Sequence, residues 1–336
     1  MDMMSTTQQT VDSGGRSPTR PLVIEASGLC KSYGDTVAVR DLSCAVEAGK
    51  VLGLLGPNGA GKTTTINMLT TLLPIDAGTA RVGGFDVTVD PRAVRAMIGL
   101  AGQSAAVDEL LTTRENLTLF GRLYKIPGAE LSQRVDALLE RFRMTDYAGR
   151  PVSTLSGGQR RRLDVVAALV ADPPALFLDE PTTGLDPRSR TELWEAIEDL
   201  AATGTAIVLT TQYLEEADRL ADEIVMIDEG TVVAAGTPKE LKQQLERDVL
   251  EIHVETDDDL VKALAMVERV PGSASNAETR EIHIPVGKGT RSSLDILRRL
   301  DDGDVTITDF HLRRPTLDDV FLTLTGPTTA SPGRQS

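Results

Sequence analysis

A glycine-rich segment early in the sequence carries the clearest chemical signal. It follows a strand-like run at residues 50–55 and consists of Gly56, Pro57, Asn58, Gly59, Ala60, Gly61, Lys62, Thr63 and Thr64. Glycines at this spacing let backbone N–H groups converge on phosphate oxygens, while the lysine reaches the β- and γ-phosphates and the first threonine can coordinate Mg²⁺. The segment therefore predicts a nucleoside triphosphate site that also holds magnesium.

Two adjacent acids follow a second apolar run. Residues 175–178 are apolar, and Asp179 and Glu180 come directly after them. At the end of a buried strand, one carboxylate can hold Mg²⁺ while its neighbour polarises a water molecule. Paired acids in this position are otherwise solvated or cap a helix, so the catalytic interpretation depends on the phosphate-binding segment in the same chain.

A third segment predicts another anion-binding helix start. After Leu155 the chain continues with Ser156, Gly157, Gly158 and Gln159, and a helical pattern follows at residues 160–171. A hydroxyl and free backbone N–H groups at the start of a helix together favour an anion.

Hydrophobic patterning indicates which elements must position these residues. From Leu22 onward, short β-rich runs alternate with helical patterns, which is typical of an α/β sheet with crossover helices. The pattern becomes mainly helical at about 112–171, which we interpret as a helical subdomain. We therefore expect one nucleotide-binding domain at residues 22–236.

A smaller unit follows this domain. Leu250, Ile252 and Val254 alternate with polar residues, and this period of two predicts a half-buried strand. Similar strands and intervening helical segments predict a C-terminal α/β domain at 240–326. The polar ends of the chain predict a disordered leader at 1–21 and a flexible tail at 327–336.

Composition excludes several classes of function. The 336 residues carry a net charge of −15 and only 3% are aromatic, which argues against nucleic acid as a partner. No stretch approaches the ~18 consecutive apolar residues of a membrane span. Cys30 and Cys44 are the only cysteines, so a reducing compartment such as the cytoplasm is expected.

These motifs together resemble the ATP-binding subunits of ABC transporters over residues 22–236. The resemblance implies a P-loop NTPase fold, an ABC ATPase domain with a helical subdomain, and ATP with Mg²⁺ as cofactors. By the same resemblance, Tyr33 would stack on adenine, Gln103 would contact Mg²⁺ and the attacking water, and Asp179 would hold the ion. Glu180 would be the general base, and Asp186 an acid at the nucleotide site.

The resemblance also implies a second copy of the chain as partner. Ser156, Gly158 and their neighbours would close on the γ-phosphate of ATP held by that copy, so two sites form in a head-to-tail dimer. Members of the superfamily mostly place a histidine after the strand at 206–209, where this chain has Gln212. An amide can donate a hydrogen bond to a phosphate oxygen, and we predict an active enzyme.

Three further segments resemble the daunorubicin-resistance type of exporter ATPase: residues 120–124, 210–218 and 313–322. This resemblance implies export of a hydrophobic drug, antibiotic or lipid through a separate polytopic membrane permease, with the ATPase on the cytoplasmic face of the membrane. Two alternatives stay open. One is a nutrient-importer ATPase, which shares the core motifs but would not explain the C-terminal segment. The other is a soluble ABC ATPase of translation or DNA repair.

Other polar groups have simpler interpretations. His253, His283 and His311 all lie in the C-terminal unit, and because the first two alternate with apolar residues we expect them to face solvent rather than bind a metal. The acids at 257–259 predict a solvated turn and a helix start. The arginines at 160–162 predict salt bridges or packing.

Overall fold

A computed structural model describes residues 21–103, 106–245, 247–267, 270, 273–287 and 290–325. The predicted leader (1–21) and tail (327–336) lie outside these residues, apart from Pro21. The strands are β1 (Leu22–Tyr33), β2 (Thr36–Glu47), β3 (Val51–Leu55), β4 (Ala77–Val82), β5 (Phe85–Asp86), β6 (Ile98–Ala101), β7 (Ala175–Asp179), β8 (Ala206–Thr211), β9 (Glu223–Asp228), β10 (Thr231–Gly236), β11 (Arg247–Val254), β12 (Ala274–Asn276), β13 (Glu281–Gly287) and β14 (Ile307–Arg313). The helices are α1 (Lys62–Leu69), α2 (Pro91–Ala96), α3 (Thr113–Leu123), α4 (Gly128–Arg141), α5 (Gly157–Ala168), α6 (Pro187–Ala202), α7 (Leu214–Leu220), α8 (Pro238–Gln244), α9 (Asp257–Val267), α10 (Thr290–Asp302) and α11 (Leu317–Thr325).

The larger sheet contains ten strands in the order β5-β4-β1-β2-β10-β9-β3-β8-β7-β6. Strand β3 pairs in parallel with β8, and β8 pairs in parallel with β7. Every residue of these three strands is buried, as expected for parallel strands covered by helices on both faces. Because their carboxyl ends lie side by side, the loops that follow them meet at one edge of the sheet. This confirms the predicted α/β sheet with crossover helices.

Helices α3, α4 and α5 form the region predicted to be helical. Thr112 and Glu115 close a capping box that starts α3, with the threonine hydroxyl accepting from the Glu115 N–H. Helices α3 and α4 are in close contact at Gly121. A Cβ added there would lie 2.0 Å from Leu131 Cδ1, so this position leaves no room for a larger residue. Their apolar residues share one core with Leu178 of β7, so the helices are anchored to the main sheet.

The C-terminal sheet has the order β12-β13-β11-β14 and is antiparallel throughout its described pairs. One face packs against α9 and α10, with Leu250, Ile252 and Ile282 in its core. Helix α9 begins at Asp257, within the acids predicted to start a helix, and Thr256 caps it: its hydroxyl accepts from the Asp259 N–H and donates to the Asp259 carboxylate. Asp259 is thereby buried, which corrects the expectation that this acid is solvated.

Helix α11 packs on the first domain. Leu317 and Val320 belong to a buried cluster with Leu55 of β3, Ala217 of α7 and Met226 of β9. Leu55 is the last residue before the glycine-rich loop. The final helix of the predicted C-terminal unit therefore supports the strand that carries this loop.

Candidate nucleotide-binding site

Close backbone contacts shape the loop between β3 and α1. Gly61 has a φ of +105°, and a Cβ there would lie 2.3 Å from the carbonyl oxygen of Ala38. At Gly56 a Cβ would lie 2.1 Å from the carbonyl oxygen of Ile227. Both positions thus require glycine. The loop packs tightly at the start of α1, where unpaired N–H groups can bind phosphate.

Lys62 places a buried ammonium group at this helix start. Its Nζ donates to the carbonyl oxygens of Gly56 at 2.7 Å and Pro57 at 3.0 Å, and it lies 3.4 Å from Glu180 Oε1. A buried charge needs such partners because it has left water. The ammonium group thus lies between the loop predicted to bind phosphates and the carboxylate predicted to activate water.

The residues predicted to hold Mg²⁺ converge. Thr63 Oγ1 donates to Asp179 Oδ1 at 3.2 Å, and Gln103 Nε2 donates to Thr63 Oγ1 at 3.3 Å. Thr210 Oγ1 donates to the same Asp179 oxygen at 2.6 Å, which fixes the orientation of the carboxylate. Hydroxyl, amide and carboxylate oxygens are ligands that suit a hard cation bound together with phosphates. The donor set therefore fits magnesium.

Glu180 adopts an unusual backbone conformation. Its φ is +48°, in the left-handed region, which costs a non-glycine residue about 1–3 kcal/mol. Thr210 offsets part of this cost, because its hydroxyl accepts from the Glu180 N–H at 2.9 Å. Thr210 therefore holds the predicted Mg²⁺ ligand Asp179 through its side chain and the predicted general base Glu180 through its backbone.

The second helix start lies at α5. Ser156 and Gln159 form a capping box, with Ser156 Oγ accepting from the Gln159 N–H at 3.2 Å. Ser156 and Gly157 are exposed. A Cβ at Gly158 would lie 2.3 Å from Ser189 Oγ, and that hydroxyl donates to Asp186 at 2.7 Å. The serine and glycines predicted to bind a partner's phosphate thus lie beside the predicted nucleotide-site acid Asp186.

Comparison with known proteins decides the family. A family model described as ABC transporter matches residues 39–183, and one described as ATP-binding protein DrrA1-3-like, C-terminal domain, matches residues 236–325. The chain is 48% identical over 305 residues to the daunorubicin resistance ATP-binding protein DrrA2 of Streptomyces coeruleorubidus, covering 90% of this chain and 95% of that protein. The chain belongs to the ATP-binding proteins of ABC transporters.

Other relatives agree with this family. The daunorubicin/doxorubicin resistance ATP-binding protein DrrA of Streptomyces peucetius is 46% identical over 310 residues, covering 92% of this chain and 93% of that protein. A solved structure of an ATP binding subunit of an ABC transporter has a TM-score of 0.60 and 30% identity, covering 66% of this chain and 92% of that chain. These likenesses confirm the predicted ABC ATPase fold and the predicted daunorubicin-resistance type. In the described part of the chain, every helix is too short or too polar to span a bilayer.

Arg161 has a role in this ABC ATPase that the sequence analysis did not predict. Its guanidinium donates to the carbonyl oxygens of Gly102 at 2.6 Å, Asp179 at 2.9 Å and Pro181 at 3.0 Å. It also pairs with Asp164 at 3.0 Å, within the kind of salt bridge predicted for the arginines. Arg161 therefore joins α5 to the residue before Gln103 and to the acid pair.

Burial shifts the pKa values of two residues in this network, Arg161 and Asp164. Burial lowers the pKa of Arg161, and the carboxylates of Asp164 and Asp179 oppose that shift. Burial raises the pKa of Asp164, although the N–H of Ala106 donates to its carboxylate at 2.8 Å. The sequence contained one signal for this role: an arginine in the second turn of a helix whose later residues are almost all apolar.

Two further residues, Tyr33 and Gln212, were predicted to contact the nucleotide. Tyr33 ends β1 and is 51% exposed, so its ring is available for stacking. Gln212 directly follows β8, and the carbonyl oxygen of the preceding Thr211 accepts from the Gly56 N–H at 3.3 Å. Gln212 therefore lies next to the residue at which the phosphate-binding loop begins. The roles of Tyr33 and Gln212 stay predictions.

Proposed function

We propose that this ATPase powers export of a hydrophobic drug through a separate polytopic membrane permease. The observation that carries the catalytic part is the convergence of Lys62, Thr63, Asp179 and Glu180 at one edge of the sheet. The export part rests on the sequence comparison. This chain is 46–48% identical to two daunorubicin-resistance ATP-binding proteins along almost their whole length. An importer would leave the matching C-terminal domain unexplained.

The chain's own residues supply most of the proposed chemistry. Lys62 and the N–H groups at the start of α1 bind the β- and γ-phosphates, and Tyr33 stacks on the adenine ring. Glu180 accepts a proton from the attacking water, and Gln212 donates a hydrogen bond to a γ-phosphate oxygen. Magnesium, when held by Thr63, Gln103 and Asp179, neutralises charge on the phosphates.

A second copy of the chain completes each site in this proposal. Ser156 and Gly157 are exposed at a helix start, where free N–H groups and the positive end of the helix dipole favour an anion. We place the γ-phosphate of the other copy's ATP against this helix start. Asp186 lies beside it and is ionised, because hydrogen bonds from Ser189 lower its pKa.

A groove on the nucleotide-binding domain is where we expect the permease to dock. It encloses about 220 Å³, and Leu72, Leu100, Phe120 and Tyr124 contribute apolar surface to its lining. Asp164 also lines the groove, and its carboxylate pairs with Arg161. A permease segment seated here contacts the network that holds Gly102, next to Gln103, so docking and the nucleotide site are physically joined.

The experiment that tests this proposal is purification of the tagged chain from cells that also produce a candidate polytopic membrane permease. We expect co-purification with that protein, and ATP-dependent movement of daunorubicin across vesicles that contain both. The Glu180→Gln variant is the matched control, with intact assembly and no transport. Uptake opposite to the export direction would favour an importer. Recovery with ribosomes or DNA instead of the membrane protein would favour a soluble ABC ATPase.

A further inference from the structure

The outward face of the C-terminal sheet gathers every histidine of the chain. Strand pairing places three imidazoles and three carboxylates together on β11, β13 and β14: Glu251, His253, Glu281, His283, Asp309 and His311. Each histidine lies directly opposite an acid on a neighbouring strand, where side chains are in contact range. The expectation of solvent-facing histidines considered each strand alone, whereas the register of three strands creates a cluster.

Part of this cluster has the dimensions of a metal site. Glu251, His253 and Glu281 each offer a ligand atom, and the three atoms lie within 4.8 Å of one another. His253 Nε2 is 3.5 Å from Glu251 Oε1. Two ligand atoms that each lie about 2.0–2.1 Å from a tetrahedral ion are roughly 3.3 Å from each other. His253 Nε2 and Glu251 Oε1 therefore need almost no movement to bind one ion.

His283 lies beside these three ligands and contacts the carboxylates of two of them. Its Nε2 lies 2.5 Å from Glu281 Oε1 and 3.9 Å from Glu251 Oε2. An ion placed among these atoms replaces the short hydrogen bond between His283 and Glu281. The side chains of the four groups are 18–33% exposed, which leaves a path for an ion to enter.

Groups around the four residues hold the ligands in place. Arg313 Nε donates to Glu251 Oε2 at 2.8 Å, which leaves Glu251 Oε1 facing His253. Arg313 itself is held by Asp319 at 2.6 Å. Outer partners of this kind orient the carboxylates of metal sites. The carboxylates of Glu251, Glu281 and Asp319 and the guanidinium of Arg313 together carry a net charge of −2, which one divalent cation balances.

We propose that Glu251, His253 and Glu281 bind a divalent transition metal ion of the zinc class. The imidazole among these ligands suits zinc and its neighbours, whereas magnesium prefers ligand sets made only of oxygen. This site is separate from the one proposed for magnesium with ATP, and it does not rest on the proposed export function.

Calorimetric titration of the full, chelator-treated chain with zinc chloride tests the proposal without nucleotide. We expect one equivalent of zinc to bind and the melting temperature to rise, because the ion binds the folded state. His253→Ala and Glu281→Gln should each weaken zinc binding by ~100-fold or more, since removing even an outer partner costs about 10–100-fold. His311→Ala is the matched control. This histidine is 63% exposed and contacts Asp309, and its replacement should leave zinc affinity unchanged.

X-ray absorption of the zinc-loaded, unsubstituted protein gives a second test that does not depend on how the variants fold. We expect nitrogen and oxygen ligands with imidazole scattering. A sulfur ligand would place the ion at Cys30 or Cys44 and overturn the proposal. Equal zinc affinity in the parent protein and in a His253→Ala, Glu281→Gln double variant would also overturn it. The cluster would then be a set of cross-strand charge pairs that stabilises the sheet.

Discussion

The chain contains two helix starts suited to bind phosphate, and their surroundings differ. At α1 the glycine loop packs against neighbouring backbone, and Lys62 is buried beside Glu180. At α5 the first residues are exposed, with no lysine and only a capping box. The same kind of helix start is thus enclosed by packed backbone and a buried cation in one place and left open in the other. The proposed head-to-tail dimer accounts for this difference, because in it the other copy brings the phosphate to the open start.

Replacing Glu180 by glutamine should separate binding from hydrolysis at the α1 site. The amide keeps the size of the side chain but cannot accept the proton, so turnover should fall by ~10² or more. ATP binding should persist, and the closed dimer should accumulate on size-exclusion chromatography with ATP. Turnover near that of the parent protein would show that another group is the base.

Mixing two inactive variants tests whether the two helix starts meet between copies. Lys62→Ala removes the α1 cation, and Ser156→Arg blocks the α5 start. In a mixed dimer one site carries both changes and the other carries neither, so the mixture should recover part of the parent ATPase rate. Each variant alone should stay inactive. A mixture as inactive as its components would argue that both helix starts act within one copy.

Gln212→Ala should have a smaller effect than the change at Glu180. Losing a donor worth ~1.5–3 kcal/mol to a charged acceptor lowers turnover by ~10- to 100-fold. Gln212→His should remain active, because imidazole can also donate to a phosphate oxygen. Steady-state ATPase assays measure both variants. Parent-like turnover of the alanine variant would mean that Gln103 and Glu180 suffice at the γ-phosphate.

Removing residues 247–336 should have the smallest effect on nucleotide affinity. The glycine loop, Lys62 and both helix starts remain, so the affinity for a fluorescent ATP analogue should be unchanged. The melting temperature should fall, because Leu55 and Met226 lose their contacts with α11. In the full chain, Leu317→Ala should reproduce this destabilisation by ~2–5 kcal/mol, and the exposed Leu322→Ala should not. A soluble, folded truncation without nucleotide affinity would show that the two units cannot be separated.

Local sequence patterns were sufficient to predict the strand, loop and helix around residues 51–69 and the acids at the end of β7. The signals for these elements are local in sequence: an apolar run followed directly by glycines or by acids. The capping box at Ser156 is local in the same way, because it joins residues three apart. The bridging role of Arg161 was not predictable, because its carbonyl acceptors lie in two other segments, at Gly102 and at residues 179–181. The histidine cluster likewise depends on strand register, which alternation within one strand does not reveal.

Helix α5 gives the proposed dimer a means of communication between its two ATP molecules. Ser156 lies at the start of the helix, and Arg161 lies five residues later, about 7.5 Å along the axis. In that dimer, the phosphate of one copy's ATP, bound at Ser156 of the second copy, acts on the helix that holds Gly102 and Asp179 at the second copy's own nucleotide. Occupancy of one site then changes affinity at the other, and thermodynamic linkage requires the influence to be equal in both directions.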